Sequence, residues 1–144
     1  MVEQAKEIFE SLMKNEVANE FSYAMMLCMY KKIGRLDEAI QIATQMRRLG
    51  FLTDILSYNN VLGLYSMDRR LREATETFKE MIKSSVQPDD FTFRALANIL
   101  LNCGVSKQAV GRLEVMVKRD APHGLQAWML ALSCAFEGVH YTNE

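Results

Sequence analysis

Apolar positions along this chain follow the spacing of amphipathic helices, and their order returns every 35 residues. When the sequence is shifted by that period, an aromatic column aligns, and a hydroxyl residue precedes each of its first three members. Alanine and methionine columns follow with the same period. The aligned residues are Tyr23, Tyr58, Phe93 and Trp128; Ser22, Ser57 and Thr92; Ala39, Ala74 and Ala109; and Met46, Met81 and Met116. A fixed period of this length is typical of helical repeat proteins.

Each 35-residue unit predicts two helices joined by a short turn. The first helix covers about positions 2 to 13, as in "LSYNNVLGLYSM", and the second about positions 17 to 29, as in "LREATETFKEMIK". Asp54 and Asp89 stand just ahead of a first helix and are typical N-terminal caps. Helical hairpins of this kind cannot bury their apolar faces alone, so they stack on one another. The sequence therefore predicts an all-α solenoid.

Counting the repeats divides residues 1–144, a single helical-repeat domain, into five segments. Complete repeats are predicted at 20–54, 55–89 and 90–124. Before them, 1–19 predicts the second helix of a partial repeat. After them, 125–144 predicts the first helix of another partial repeat, over 125–137, with a frayed tail from Val139 to Glu144. Since this last helix has no predicted partner, an exposed apolar edge is expected at Trp128, Leu130, Leu132 and Phe136.

Composition and charge favour a helical protein without a membrane span, a zinc site or a strongly basic surface. Only 2 prolines and 7 glycines occur in 144 residues, which favours helices throughout. No apolar run reaches the roughly 18 residues that a membrane span needs. The three cysteines, Cys28, Cys103 and Cys134, are too far apart for a zinc site and are expected to be reduced core residues. The formal net charge of −1 argues against assuming a nucleic-acid partner from charge alone.

The segment "YNNVLGLYSMDRRLREATETFKEMIKSSVQPDD" resembles the pentatricopeptide repeat, and the resemblance extends over nearly the whole chain. It is strongest in 55–89, good in 20–54 and weaker in 90–124, where Pro122 is shifted by one place and Gly124 replaces an aspartate. Tetratricopeptide repeats differ because their period is about 34 and they prefer a small residue at the methionine column. The resemblance implies a right-handed α-α superhelix of tandem helix-turn-helix repeats.

The same resemblance implies that the first helices line a groove that binds single-stranded RNA, with one base per repeat. Position 5 and the last position of a repeat would read the base edge, and position 2 would pack against the base faces. An asparagine amide both donates and accepts hydrogen bonds, as a base edge requires. The implied base-reading pairs are Ala24 with Asp54, Asn59 with Asp89, and Arg94 with Gly124; the implied base-stacking residues are Phe21, Leu56 and Phe91.

Only one of these pairs fits the family pattern. Asn59 with Asp89 matches a common combination, which implies a preference for uracil, whereas Ala24 has no hydrogen-bonding group and Arg94 fits a phosphate equally well. Phosphate contacts are expected near the ends of the first helices, at Lys31, Lys32, Arg69 and Arg70. With one good pair and few cations, this segment alone is expected to bind RNA weakly, at about micromolar or higher Kd.

Each candidate also has a structural alternative. Asp54 and Asp89 would cap helices whether or not RNA binds. Phe21 and Phe91 fit an inter-repeat core as well as a base contact, and Asn60 is better explained as a structural residue.

Catalysis is not predicted. His123 and His140 are isolated, and no nucleophile-and-base pair, phosphate loop or metal-ligand spacing is present in the sequence. We therefore expect a protein that is not an enzyme, with no catalytic residue, metal or cofactor.

The competing hypothesis is protein–protein association. A homodimer through exposed terminal helices, or a scaffold with little RNA binding of its own, would use the same repeats. The resemblance implies a plant protein of the mitochondrion or chloroplast that acts in RNA processing, splicing, stability or translation. No targeting peptide is visible at the N-terminus, which fits a fragment of a longer protein.

Overall fold

The computed structural model describes residues 2–14 and 19–142, and all regular secondary structure within these ranges is α-helical. The helices are α1 (Val2–Lys14), α2 (Glu20–Lys32), α3 (Leu36–Arg48), α4 (Ile55–Met67), α5 (Leu71–Lys83), α6 (Asp90–Asn102), α7 (Lys107–Arg119) and α8 (Ala121–Thr142). The predicted first helices are α2, α4 and α6, and the predicted second helices are α3, α5 and α7. The all-α class built from tandem helical hairpins is therefore confirmed.

The residue just before each first helix is a cap, as predicted for Asp54 and Asp89. Asp54 Oδ1 accepts a hydrogen bond from the Ser57 backbone N–H at 2.9 Å. Asp89 Oδ1 accepts from the Thr92 N–H at 3.1 Å, and Thr92 Oγ1 accepts from the Asp89 N–H at 3.1 Å, which completes a capping box. Asn19 caps α2 in the same way. The hydroxyl column of the sequence is thus explained by helix capping.

The first of two compact units covers residues 1–64 and contains α1, α2, α3 and most of α4. Its core includes an aromatic group in which the Tyr23 ring lies 5.0 Å from Phe9 and 5.3 Å from Phe51. Ala39 and Met46 of α3 are completely buried. Because alanine adds so little volume, α2 and α3 pack closely along this column.

The second unit covers residues 65–144 and contains the end of α4 and helices α5 to α8. Ala74, Phe78 and Met81 of α5 are completely buried, as in the equivalent part of α3. Helix α8 packs against α7 and α5. Its Trp128 is also completely buried, with the ring centroid 5.4 Å from that of Phe93.

Helix α8 differs from its prediction in both length and burial. It begins at Ala121 rather than at residue 125, because Pro122 is tolerated in the first turn of a helix. It continues to Thr142, so the expected fraying from Val139 is wrong up to that residue, and Asn143 and Glu144 lie outside the described residues. The expected exposed edge is wrong for Trp128 and Leu132, which are buried. It holds for Leu130, which lies on the opposite face of α8, and for Phe136, which lies one turn beyond Leu132; both are exposed.

The hairpin of α6 and α7 leaves open space between its two helices. A cleft of about 750 Å³ lies between the two helices, lined in part by Phe93, Leu101 and Val110. The residues that would fill it are small: Ala97 replaces the leucine that repeats 20–54 and 55–89 have at this position, and Gly111 replaces their Gln and Glu. Reduced side-chain volume therefore accounts for the cleft.

None of the helices within the described ranges has the length and apolarity that crossing a bilayer would demand.

Candidate nucleic-acid interface

The three position-2 residues occupy equivalent places in their helices, and all three side chains are exposed. Each stands two residues after the N-cap of a first helix, and each is a large apolar side chain open to solvent. Phe21 is 71% exposed, Leu56 is 66% exposed and Phe91 is 46% exposed. Burying such a side chain normally stabilises a protein by about 1.5–3 kcal/mol. Because these three side chains are largely exposed, they do not provide that full stabilisation. The alternative placing of Phe21 and Phe91 in an inter-repeat core does not fit these exposures.

The last-position carboxylates are held by their caps. Asp54 and Asp89 are both exposed, and in each case Oδ1 accepts the backbone N–H three residues later. The cap fixes where the carboxylate lies but leaves its negative charge in place. A structural role and a base-reading role are therefore compatible at these two residues.

The position-5 residues have three different environments. Asn59 is only 7% exposed and takes part in interactions within the protein, so its amide is not on an open surface. Its neighbour Asn60 is half-buried, and the Asn60 backbone carbonyl accepts a hydrogen bond from Lys31 Nζ at 3.4 Å. Ala24 is half-buried, whereas Arg94 is exposed and borders the cleft between α6 and α7.

Gly124, the implied partner of Arg94, has a packing role. It is buried in the first turns of α8, and a Cβ added there would lie 2.4 Å from the Val117 Cα atom. Because that contact involves the backbone of α7, only glycine lets the two helices approach this closely. The structure does not bring Gly124 to a position from which it could read a base, and we leave it out of the site proposed below.

The four implied phosphate-contacting residues fall into different electrostatic settings. Lys32 is exposed, and the Lys31 ammonium is directed at the Asn60 carbonyl. Arg70 donates to Asp68 Oδ2 at 2.7 Å, and this hydrogen bond raises the pKa of its guanidinium. Arg69 is exposed and has a left-handed backbone, with φ of 55°.

Two features of the surface were missed by the sequence reasoning. Met25 lies one helical turn after Phe21 and is also exposed, so α2 carries an apolar strip rather than a single apolar residue. The i, i+4 spacing of the two side chains was the available signal. The cleft between α6 and α7 was not anticipated either, although the small residues Ala97 and Gly111 were visible in the alignment of the repeats.

His123 interacts with a residue close to it in the sequence. His123 Nδ1 is hydrogen-bonded to the Asp120 carboxylate at the start of α8, and this bond lowers the pKa of Asp120. Within the described part of the chain, no three His, Cys, Asp or Glu residues are grouped as a metal site would require.

Comparisons with known proteins were consistent with the repeat pattern. A model of the PPR repeat family matches residues 53–103, and a PPR repeat model matches residues 21–51. One pentatricopeptide repeat-containing protein of Arabidopsis thaliana is 62% identical over 64 residues, which is 44% of this chain and 8% of that protein. A second from the same plant is 36% identical over 115 residues, which is 79% of this chain and 12% of that protein.

A third relative from Arabidopsis thaliana is named as mitochondrial. It is 29% identical over 94 residues, which is 65% of this chain and 19% of that protein. Another pentatricopeptide repeat-containing relative is named as chloroplastic. The chain thus spans only a small part of the length of each of these relatives.

Proposed function

Because this chain belongs to the pentatricopeptide repeat family, we propose that it binds single-stranded RNA as part of a longer organellar protein. Membership of the family implies RNA binding in organellar RNA processing in general. The location is a mitochondrion or a chloroplast, since relatives carry both names. The observation that carries the proposal is the exposure of a large apolar side chain at the same position of α2, α4 and α6.

Stacking is the interaction that these side chains offer to RNA. An aromatic ring, as in Phe21 and Phe91, accepts the face of any base, and each such stack contributes about 1–3 kcal/mol. Leu56 offers an apolar contact without a ring. Phe21, Leu56 and Phe91 are exposed, so no rearrangement of the core is needed before a base reaches them. One base per repeat then packs against one of these side chains.

Base preference is concentrated in the repeat at 55–89. Asn59 and Asp89 are the one pair that matches the family pattern, and it implies a preference for uracil; the Asn59 amide must exchange its present interaction within the protein for the base edge. In the repeat at 20–54 Ala24 offers no hydrogen bond, and Arg94 in the next repeat has lost its partner because Gly124 packs against α7. We therefore expect a bound strand that is recognised strongly at one base and tolerated at the others.

A matched pair of variants tests the stacking role. Phe21→Ala removes a proposed base contact, whereas Ile8→Ala removes a similarly exposed apolar side chain from α1, outside the proposed groove. Fluorescence anisotropy with a short single-stranded RNA should show a loss of affinity of about fivefold or more for Phe21→Ala, as expected for one stacked base. Ile8→Ala should bind as the wild type does. Equal affinities for all three proteins would contradict the stacking role.

Self-association is the second candidate function, and it rests on different residues. Val115 and Met116 of α7 and Leu130 of α8 are exposed large apolar side chains on helices that carry no position-2 residue. A homodimer would cover such side chains. Light scattering on the RNA-free protein distinguishes the two functions, since a stable dimer that does not bind RNA would favour a scaffold.

A further inference from the structure

The turn after α4 contains an arginine where its counterparts have glycine. Arg69 has φ of 55°, and the equivalent residues Gly34 and Gly104 have φ of 80° and 92°. All three occupy position 15 of their repeats. The left-handed region disfavours residues with a Cβ atom, so glycine is the least strained choice at such a position.

The turns themselves are closed in the same way. The residue after the left-handed one donates its backbone N–H to the carbonyl five residues earlier: Arg35 to Tyr30 at 2.9 Å, Arg70 to Tyr65 at 2.9 Å and Val105 to Leu100 at 3.0 Å. This is the usual closure of a helix by a left-handed residue. The backbone therefore gives no reason for an arginine at position 69, and a reason must lie in its side chain.

The adjacent Arg70 has a structural reason to be present. Its guanidinium bonds Asp68 at 2.7 Å and lies 3.7 Å from Glu73. Its equivalent in the preceding repeat, Arg35, lies 3.7 Å from Glu38 and 3.3 Å from Glu3. The same ion pair with the glutamate three residues later thus recurs in two repeats and organises the start of the second helix.

Arg69 has no such partner. Its side chain is exposed, and within the described part of the chain it makes no ion pair or side-chain hydrogen bond. The two adjacent arginines therefore differ in the partners of their guanidinium groups. The charge of Arg70 is neutralised by the carboxylates of Asp68 and Glu73, whereas the charge of Arg69 faces solvent and its backbone is strained. Strained residues are enriched at functional sites. Of the two non-glycine residues with positive φ in the described chain, Arg69 and Ser85, only Arg69 presents a charge to solvent from such a backbone.

We propose that Arg69 contacts the phosphodiester backbone of the bound RNA, and that Arg70 only organises the turn. This inference rests on the proposed RNA-binding function. A guanidinium offers several N–H donors to phosphate oxygens. It stands directly after α4, the helix that carries Asn59. The arginine is kept at a left-handed position because its charge contributes to RNA affinity more than its conformation costs in stability.

Four variants separate charge from backbone strain. Arg69→Gly removes both, and Ser85→Gly relieves the same strain elsewhere, because Ser85 is also left-handed, with φ of 60°, where the preceding repeat has Gly50. Arg69→Lys keeps the charge. Arg70→Gln breaks the ion pairs of the turn. Each protein is assayed by thermal unfolding and by anisotropy with single-stranded RNA over a range of salt concentrations.

We expect both glycine variants to unfold at higher temperature than the wild type. Only Arg69→Gly should bind RNA several-fold more weakly at low salt, with the slope of log K against log salt reduced by about 0.7, as for one lost phosphate contact with a single strand. Arg69→Lys should retain the slope. Arg70→Gln should unfold at lower temperature with the slope unchanged.

The outcomes of these assays distinguish an error in the Arg69 inference from an error in the proposed RNA-binding function. If the wild type binds RNA and Arg69→Gly binds with the same affinity and slope, the inference is overturned while the proposed function stands. If the wild type binds no RNA even at low salt, both are overturned. If Arg69→Gly instead dissociates a dimer seen by light scattering without RNA, the arginine contacts protein and the phosphate assignment is wrong.

Discussion

Helices α5 and α7 occupy the same place in consecutive repeats, yet only α5 buries the face that the repeat pattern assigns to the core. Met81 of α5 is completely buried, whereas its counterpart Met116 of α7 is 41% exposed. Val110 is the buried hydrophobic residue of α7, one residue away from the alanine column. The two helices thus share a sequence period but present different faces to their neighbours.

The difference follows from the size of the facing residues and from the connection that follows. Ala97 and Gly111 leave a cleft between α6 and α7, so these two helices are not in contact along their whole facing surfaces. After α7 the chain has Asp120 alone before α8 begins, and Gly124 lets α8 pack directly against Val117. Periodicity therefore predicts where helices form, while side-chain volume and loop length decide how they pack.

Alanine substitutions in the methionine column should show the largest contrast. Met81→Ala empties a completely buried site and should lower the free energy of unfolding by about 2–5 kcal/mol. Met116→Ala changes an exposed site and should cost less than about 1 kcal/mol. Denaturant unfolding of the two variants measures both values. Equal losses would mean that α7 buries its methionine as α5 does.

Two glycines of the second unit should respond to alanine with opposite signs. Gly124→Ala places a Cβ against the backbone of α7 and should destabilise the protein by about 1–3 kcal/mol. Gly111→Ala meets nothing within 4 Å and should stabilise α7 by about 0.5–1 kcal/mol. Thermal unfolding of both variants gives the comparison. A tolerated Gly124→Ala would disprove the close contact of α7 with α8.

The helix caps should behave alike even though the packing does not. Asp54→Ala and Asp89→Ala each remove one side-chain cap and should each cost about 1 kcal/mol of unfolding free energy. Asp90→Ala, at the next exposed position, serves as the control and should cost much less. If the control equals Asp89→Ala, general charge rather than capping explains the effect.

The smallest effect is expected at the connection between α7 and α8. The hydrogen bond from His123 lowers the pKa of Asp120 from its ordinary value of 3.8. The resulting stabilisation is present above pH 3.8 and is lost as the pH falls below it through the folded-state pKa. Asp120→Asn should therefore show a slightly smaller fall of Tm than the wild type across that range. Identical falls would show that this contact is unimportant for stability.

Much of the fold follows from the sequence because helix formation here is a local matter. The 35-residue period predicts the helices α2 to α7, and Asp54 and Asp89 predict the N-termini of α4 and α6. The start of α8 does not follow from the period, since the repeat pattern predicts a helix only from residue 125, whereas the first turn of α8 contains Pro122. Which face of α7 is buried does not follow from the period either, because burial depends on partners distant in sequence.

The candidate site was predicted less completely than the fold. The resemblance to the family predicts which positions would contact RNA, and Phe21, Leu56 and Phe91 are exposed, but their contact with a base stays a prediction. The burial of Asn59 and the packing role of Gly124 depend on neighbouring helices and were not visible in the sequence. The strain at Arg69 likewise required the backbone torsions.

RNA binding with a base preference in one repeat can be measured by anisotropy titrations of U-rich and A-rich single-stranded RNA at several salt concentrations. We expect weak, salt-sensitive binding that favours the U-rich strand, with the preference lost in Asn59→Ala while that variant remains folded. Absence of binding at the lowest salt concentration, or equal affinity for both strands in the wild type, would contradict this expectation.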